Sequence, residues 1–358
     1  MQSHYSLGFY NYLACCFKIC NGAFFPASGF KLSNSKKLLN QWICKSMQYR
    51  TWNILFGLSI AIAYMSITIA PAKAQSLLDF QPEQQTTPKQ IDSLKDMGTS
   101  LDGFIPKKLQ ESESPMGSNR AIIGKDQRLP MMSREYPWST VGKIVMVSKD
   151  KKEYSCTGTL IGKSLAITNA HCVYDESGKL FPNIYFLPNL INGRLRTKND
   201  VASVRNVWTG TRKPNWNSAD DWAIVELDKP LGEKYGFLRW RTVPVALLER
   251  YKNRLAVAGY SGDYPDPKSY TGPEFSAGKG YTAGVHLKCS VLGEREGMLV
   301  HDCDTNPGAS GSALISKIDG VYQIIGLHAI GRKDRNGRGV ENYAVRIGRI
   351  EAALNKGK

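Results

Sequence analysis

From about residue 121 to the C-terminus, apolar residues come in short runs separated by turn-forming ones. VGKIVMVS (141–148), TGTLIG (157–162) and SLAITNA (164–170) are β-rich, and NIYFL, WAIVEL, LAVAGY, GMLVHDC and YQIIGLHAI follow. Gly, Pro, Asn and Asp punctuate them and none carries a long helical period, so the pattern predicts an all-β barrel or sandwich. The tail differs. Val345, Ile347, Ile350 and Leu354 recur at helical spacing and predict a closing helix over 345–354. Residues 75–119 are rich in Gln, Ser, Pro and Lys, with Leu77, Leu78, Phe80 and Phe104 among few large apolar side chains. So sparse a stretch cannot bury enough surface to fold alone, and it reads as a linker or propeptide.

The apolar run over residues 52–70 carries no charge. Arg50 precedes it and Pro71-Ala72-Lys73-Ala74-Gln75 follows it. A basic start, an apolar centre and a small-x-small end describe a secretory signal peptide, with cleavage expected after Ala74. Met47 is then the expected start, which makes 47–74 the signal peptide and 1–46 an over-extended upstream segment. The competing reading is a retained membrane anchor, since the run is just long enough to span a bilayer. Export with cleavage implies a secreted or periplasmic protein with no stable membrane insertion afterwards.

Charge changes this picture little. The formal charge is +16, but residues 1–74 hold seven of the 47 Lys and Arg and no acidic residue, so the rest carries 40 against 31, or +9. No basic cluster with interleaved aromatics marks a nucleic-acid site. A basic exported protein could adhere to anionic surfaces, and simple solubility is the plainer reading.

Of eight cysteines, Cys15, Cys16, Cys20 and Cys44 fall in the upstream segment and Cys156, Cys172, Cys289 and Cys303 in the exported part. Four in an exported chain suggest two disulfides. Cys289 and Cys303 flank LGEREG, which looks like a hairpin tip. A zinc site built from His286, Cys289, His301 and Cys303 is the alternative. His286 and His301 otherwise read as ordinary strand residues.

Candidate chemistry lies in three stretches: TNAHC around His171, DDWAIVEL around Asp221 and NPGASGSAL around Ser310. A hydroxyl is a poor nucleophile at neutral pH, so Ser310 needs an imidazole to take its proton. That imidazole needs a buried carboxylate to fix its tautomer. Gly308 and Gly311 permit a tight turn in which the N–H groups of Gly308 and Ser310 converge on a developing oxyanion. The order His, Asp, Ser sets aside an α/β-hydrolase, whose serine precedes the acid and the histidine.

On these motifs the chain from about residue 120 to 358 resembles the chymotrypsin-like (trypsin-like) serine peptidases, in particular the bacterial glutamyl-endopeptidase-like branch. AIIGKDQR, PLGEKYG and GYSGD are weaker echoes in the same order. The resemblance implies two antiparallel six-stranded β-barrels with the active site in the cleft between them. It also implies a Cys156–Cys172 bridge, and Asp221 rather than Asp220 as the orienting acid, because Asp221 directly precedes Trp222-Ala223. Ala309 replaces the aspartate that pairs with a freed amino terminus in trypsin, so activation through Ile122-Ile123-Gly124 is not expected.

Specificity stays open between two readings. Thr305 and His328 match the pair that binds a substrate carboxylate in glutamyl endopeptidases, whereas Asp304 falls by counting at the position that selects Arg or Lys. The expected function is an exported endopeptidase working through an acyl-enzyme on protein or peptide substrates. No metal or organic cofactor is expected, and the default state is a monomer. A catalytically silent binding protein on the same fold is the alternative.

Overall fold

The structure, a computed structural model, describes residues 86–91, 103–104, 106, 126–214, 218–250, 252–266, 275–333, 335 and 339–356. The expected signal peptide, the upstream segment and Ile122-Ile123-Gly124 lie outside them. No helix among the described residues is long and apolar enough to cross a membrane.

Two short strands come first, β1 (Lys89–Gln90) and β2 (Leu129–Pro130). Six strands then form one closed barrel: β3 (Val141–Val147), β4 (Glu153–Leu160), β5 (Leu165–Thr168), β6 (Asn183–Pro188), β7 (Ala202–Thr209) and β8 (Ala223–Leu227). The order β7-β6-β3-β4-β5-β8 closes through a β7–β8 pairing, which removes free edges. Outside the barrel, β1 runs parallel to β7, and Phe104 pairs with Phe237. These described parts of the 75–119 stretch are therefore docked on the first barrel.

The second half holds β9 (Arg239–Trp240), β10 (Leu255–Gly259), β11 (Gly284–Cys289), β12 (Val291–Arg295), β13 (Met298–His301), β14 (Ala313–Ile318), β15 (Val321–Lys333) and β16 (Gly339–Arg346). With β2 they make a nine-stranded sheet, β12-β13-β16-β15-β14-β10-β11-β2, with β9 on β15. The second half is thus an antiparallel sheet in which β11 runs into β12 through Ser290 alone, consistent with the two-barrel arrangement that the resemblance implies. One edge of β11 carries β2 through Gly284↔Pro130 and Val285↔Leu129. Pro130 has no N–H to extend that pairing. The predicted hairpin is present as β12–β13. The closing helix, α1 (Ile347–Lys356), starts two residues later than its apolar spacing begins.

The apolar runs are continuous because many strands are buried on both faces. Ile144 and Met146 of β3 join a cluster inside the first barrel, while Val141 and Val145 join a second cluster shared with β11, β14 and β15 of the other sheet. Likewise Leu314 and Ile325 fill the second sheet's interior, and Ala313, Ile315, Ile324 and Leu327 turn to the shared cluster. Side chains alternate with period two, yet both sets are apolar, so no polar stripe appears in the sequence.

Candidate active site

His171 sits in a 3-10 turn, Ala170–Cys172, two residues beyond the end of β5. Asp221 lies two residues before the start of β8, which pairs with β5 in the register Thr168↔Ala223. This pairing sets the two side by side. Asp221 is fully buried, and its carboxylate accepts twice from His171: from the ring Nδ1 at 2.7 Å and from the backbone N–H at 3.0 Å. Asn169 Nδ2 donates to the Asp221 backbone carbonyl at 2.7 Å and anchors the chain at that residue. With Nδ1–H donating, His171 Nε2 keeps its lone pair. The neighbouring Asp220 faces outward and takes a two-pronged contact from Arg349 at 2.7 and 2.9 Å.

Ser310 comes from the other half, in the turn before β14. Gly308 has φ +101° and an added Cβ would lie 2.4 Å from the Tyr260 carbonyl oxygen; Gly311 has φ +84° and would meet the Thr157 carbonyl at 2.2 Å. Both positions therefore exclude any side chain. The turn is tied to the first barrel by β4, where Thr157 N–H donates to Ser310 O at 2.8 Å and Thr157 Oγ1 to Gly308 O at 2.9 Å. Among the described residues, the amides of Gly308 and Ser310 donate to no protein acceptor. Ser312 Oγ donates to Ala309 O at 2.6 Å and closes the turn, with Ala309 itself buried. The Ser310 hydroxyl donates to the Ala329 carbonyl at 3.3 Å, long for a bond between two oxygens. Ala329 occupies a register shift between His328 and Ile330 in β15, and such bulges re-aim backbone groups.

The specificity candidates separate. Asp304 turns towards the N-terminal segment, where its carboxylate accepts Gln127 N–H at 2.9 Å. Burial pushes its carboxyl up to about 6. Thr305 Oγ1 instead donates to Asn342 Oδ1 at 3.0 Å, and Asn342 Nδ2 donates to Cys303 O at 2.7 Å. His328, on β15, is buried beside His301 of β13, with Nε2 of His301 3.2 Å from Nδ1 of His328.

A backbone donor fixes the tautomers of this pair. Cys303 N–H donates to His301 Nδ1 at 3.2 Å, so His301 carries its hydrogen on Nε2 and passes it to His328 Nδ1. His328 is left with Nε2–H. Burial lowers the His328 pKa to about 3, the neighbouring His171 adds to this, and a hydrogen bond with the Tyr343 backbone works the other way. His301 is driven well below its ordinary value by burial and the two neighbouring histidines. Both rings are neutral at pH 7.

His301 and Asn342 were missed at the level of sequence. His301 reads there as a plain strand residue, and Asn342 carries no motif. The cysteines pair as Cys156–Cys172 and Cys289–Cys303. With the second pair oxidised, the zinc alternative loses both thiolates.

The family model described as Trypsin matches residues 132–351. Serine protease 23 of Bos taurus is 28% identical over 231 residues, covering 57% of this chain and 54% of that protein. Serine protease 23 of Homo sapiens is 28% identical over 222 residues, covering 54% and 50%. The chain thus spans about half the length of the curated relatives it matches. Among solved structures, a Glu endopeptidase in complex with MPD superposes with a TM-score of 0.49 at 23% identity, covering 66% of this chain and all of that one.

Proposed function

We propose, because this chain belongs to the trypsin family, that it is a serine endopeptidase in which His171, Asp221 and Ser310 form the catalytic triad. The observation that carries the reading is the double hold of the buried Asp221 carboxylate on His171, at ring and backbone. It leaves Nε2 as the only ring atom able to accept a proton, which is what activation of a serine requires.

The reaction follows from those groups. Nε2 of His171 takes the Ser310 proton as Oγ attacks the scissile carbonyl carbon. The amides of Gly308 and Ser310 receive the oxyanion, and Asp221 stabilises the imidazolium. His171 returns the proton to the leaving amine, and an acyl-enzyme remains on Ser310. Water then attacks, with His171 again as base, and releases the acid. The weak bond from Ser310 to Ala329 O is given up when substrate arrives, since catalytic contacts tighten in the bound complex.

The finer reading is a preference for Glu or Asp before the scissile bond. His328 is a neutral imidazole with its hydrogen on Nε2, held by the Tyr343 backbone, and the Thr305 hydroxyl is held by Asn342; a substrate carboxylate takes over these two donors when it binds. Asp304, the residue that would favour Arg or Lys, is engaged with Gln127. Export is part of the proposal: two disulfides fit an oxidising compartment.

The test pairs the wild type with Ser310→Ala. A fluorophosphonate probe labels only an activated serine, and a diverse peptide mixture reports cleavage sites. Labelling and cuts after acidic residues, both lost in Ser310→Ala, support the full reading. Cuts after Arg or Lys overturn the acidic preference. A folded wild type that neither labels nor cuts is a binding protein on a protease fold.

A further inference from the structure

The turn that carries Ser310 is braced on two sides, and only one brace comes from the barrel. The other begins at Arg128, in the segment leading into β2. Its guanidinium is buried and forks twice, to Asp126 at 2.9 and 2.8 Å and to Asp263 at 2.9 and 2.8 Å. It also stacks over the Tyr264 ring at 4.6 Å, and the Tyr264 hydroxyl donates to the Arg128 carbonyl at 2.8 Å. Asp263, so fixed, accepts from Asn306 Nδ2 at 2.6 Å. Asn306 O in turn accepts Ala309 N–H at 2.9 Å, and Pro307 O accepts Gly262 N–H at 2.8 Å. One residue earlier, Gln127 N–H reaches the Asp304 carboxylate. The chain of contacts runs from Arg128 through Asp263 and Asn306 to the turn that offers the amides of Gly308 and Ser310.

Resting on the reading of Ser310 as nucleophile, we propose that Arg128 is a positioning residue for the oxyanion turn, acting through Asp263 and Asn306. The physical argument is one of charge and geometry. Asp126 and Asp263 both face the same guanidinium, so its removal leaves two carboxylates in mutual repulsion and takes away the group that fixes Asp263 under Asn306. Ala309 is apolar and buried, so position 309 offers no charged group to hold the turn from within. Amides aimed at an oxyanion act chiefly in the transition state, so their misplacement lowers kcat rather than raising KM.

The experiment compares wild type, Arg128→Ala, Arg128→Lys and Asn306→Ala in the full chain. Fluorophosphonate labelling rates and kcat and KM on a peptide cleaved in a Ser310-dependent way are measured beside thermal unfolding. For folded Arg128→Ala the expected result is a roughly 10- to 100-fold fall in kcat and labelling rate, with KM changed less than about threefold. Arg128→Lys, which keeps the charge but not the double fork, falls between the two. A folded Arg128→Ala with wild-type kcat and labelling rate overturns the proposal, whatever its melting temperature. If that variant does not fold, Asn306→Ala decides by the same criterion, because it leaves the Arg128 ion pairs in place. A folded wild type that does not label refutes the nucleophile reading instead, and the role of Arg128 falls with it.

Discussion

Replacing Asp221 by Asn keeps the size of the side chain and changes one group from acceptor to donor. The double contact makes the outcome calculable. In one orientation the amide oxygen keeps the His171 backbone N–H, and the NH₂ faces Nδ1. That forces Nδ1 to accept and moves the ring hydrogen to Nε2, where it blocks proton transfer from Ser310. In the other orientation the oxygen keeps Nδ1–H, but the NH₂ opposes the buried backbone N–H. Two unsatisfied buried donors cost about 1–3 kcal/mol each. The productive tautomer is thus disfavoured by about 4 kcal/mol, or roughly 10³-fold at about 1.4 kcal/mol per decade. This approaches the roughly 10⁴-fold loss documented for such a substitution in the serine-protease template. The assay is kcat/KM on a peptide cleaved by wild type, with circular dichroism and thermal unfolding as controls for the fold. Retention of more than about a tenth of the activity by a folded variant would mean that His171 is not oriented as argued.

Other expectations are more compact. Thr305→Val should reduce kcat/KM for substrates with Glu before the scissile bond by roughly 10- to 100-fold and leave neutral residues there little affected, as read from paired peptides. Asp304→Asn should leave the cleavage preference unchanged and raise the melting temperature at pH 7. Its carboxyl, held at about 6 against an ordinary 3.8, supports the fold below pH 4 and loses that contribution as pH rises to 6, so the advantage of Asn fades on acidification. His328 works in the opposite sense. Its pKa is depressed to about 3, so the unfolded chain binds the extra proton between about 6.5 and 3 and stability falls as pH drops through that window; His328→Leu should flatten this part of a melting-temperature profile. Converting Cys289 and Cys303 together to alanine opens a loop with a separation of 14 residues, which should destabilise the fold by about 3 kcal/mol in a denaturant titration.

What could be read from the chain divides by how local its cause is. His171, Asp221 and Ser310 each carry a short signature because the backbone around them is specialised: the 3-10 turn, the start of β8, and a turn with two left-handed glycines. The hairpin and the terminal helix were legible for the same reason. His301 and Asn342 have no such signature, and Arg128 only closes the weak echo AIIGKDQR. Each gains its meaning from a strand or loop distant in sequence: His301 from His328, Asn342 from Thr305, Arg128 from Asp263. The docking of β2 likewise joins it to β11 across more than 150 residues, as Gly284↔Pro130 records. The docking of Lys89–Gln90 was hidden because a two-residue parallel pairing rests on backbone groups, which every residue possesses.

The apolar cluster shared by the two sheets bears on how this molecule comes apart. Val141, Val145 and Ile224 from the first half pack in one body with Val285, Ile315 and Leu327 from the second. Neither half can lose its structure without exposing side chains that the other needs covered. The described halves should therefore melt together, in one calorimetric transition whose van't Hoff and measured enthalpies agree. His171 and Ser310 lie on opposite sides of that seam, so their separation is governed by the cooperativity of the whole fold, not by the looseness of a hinge.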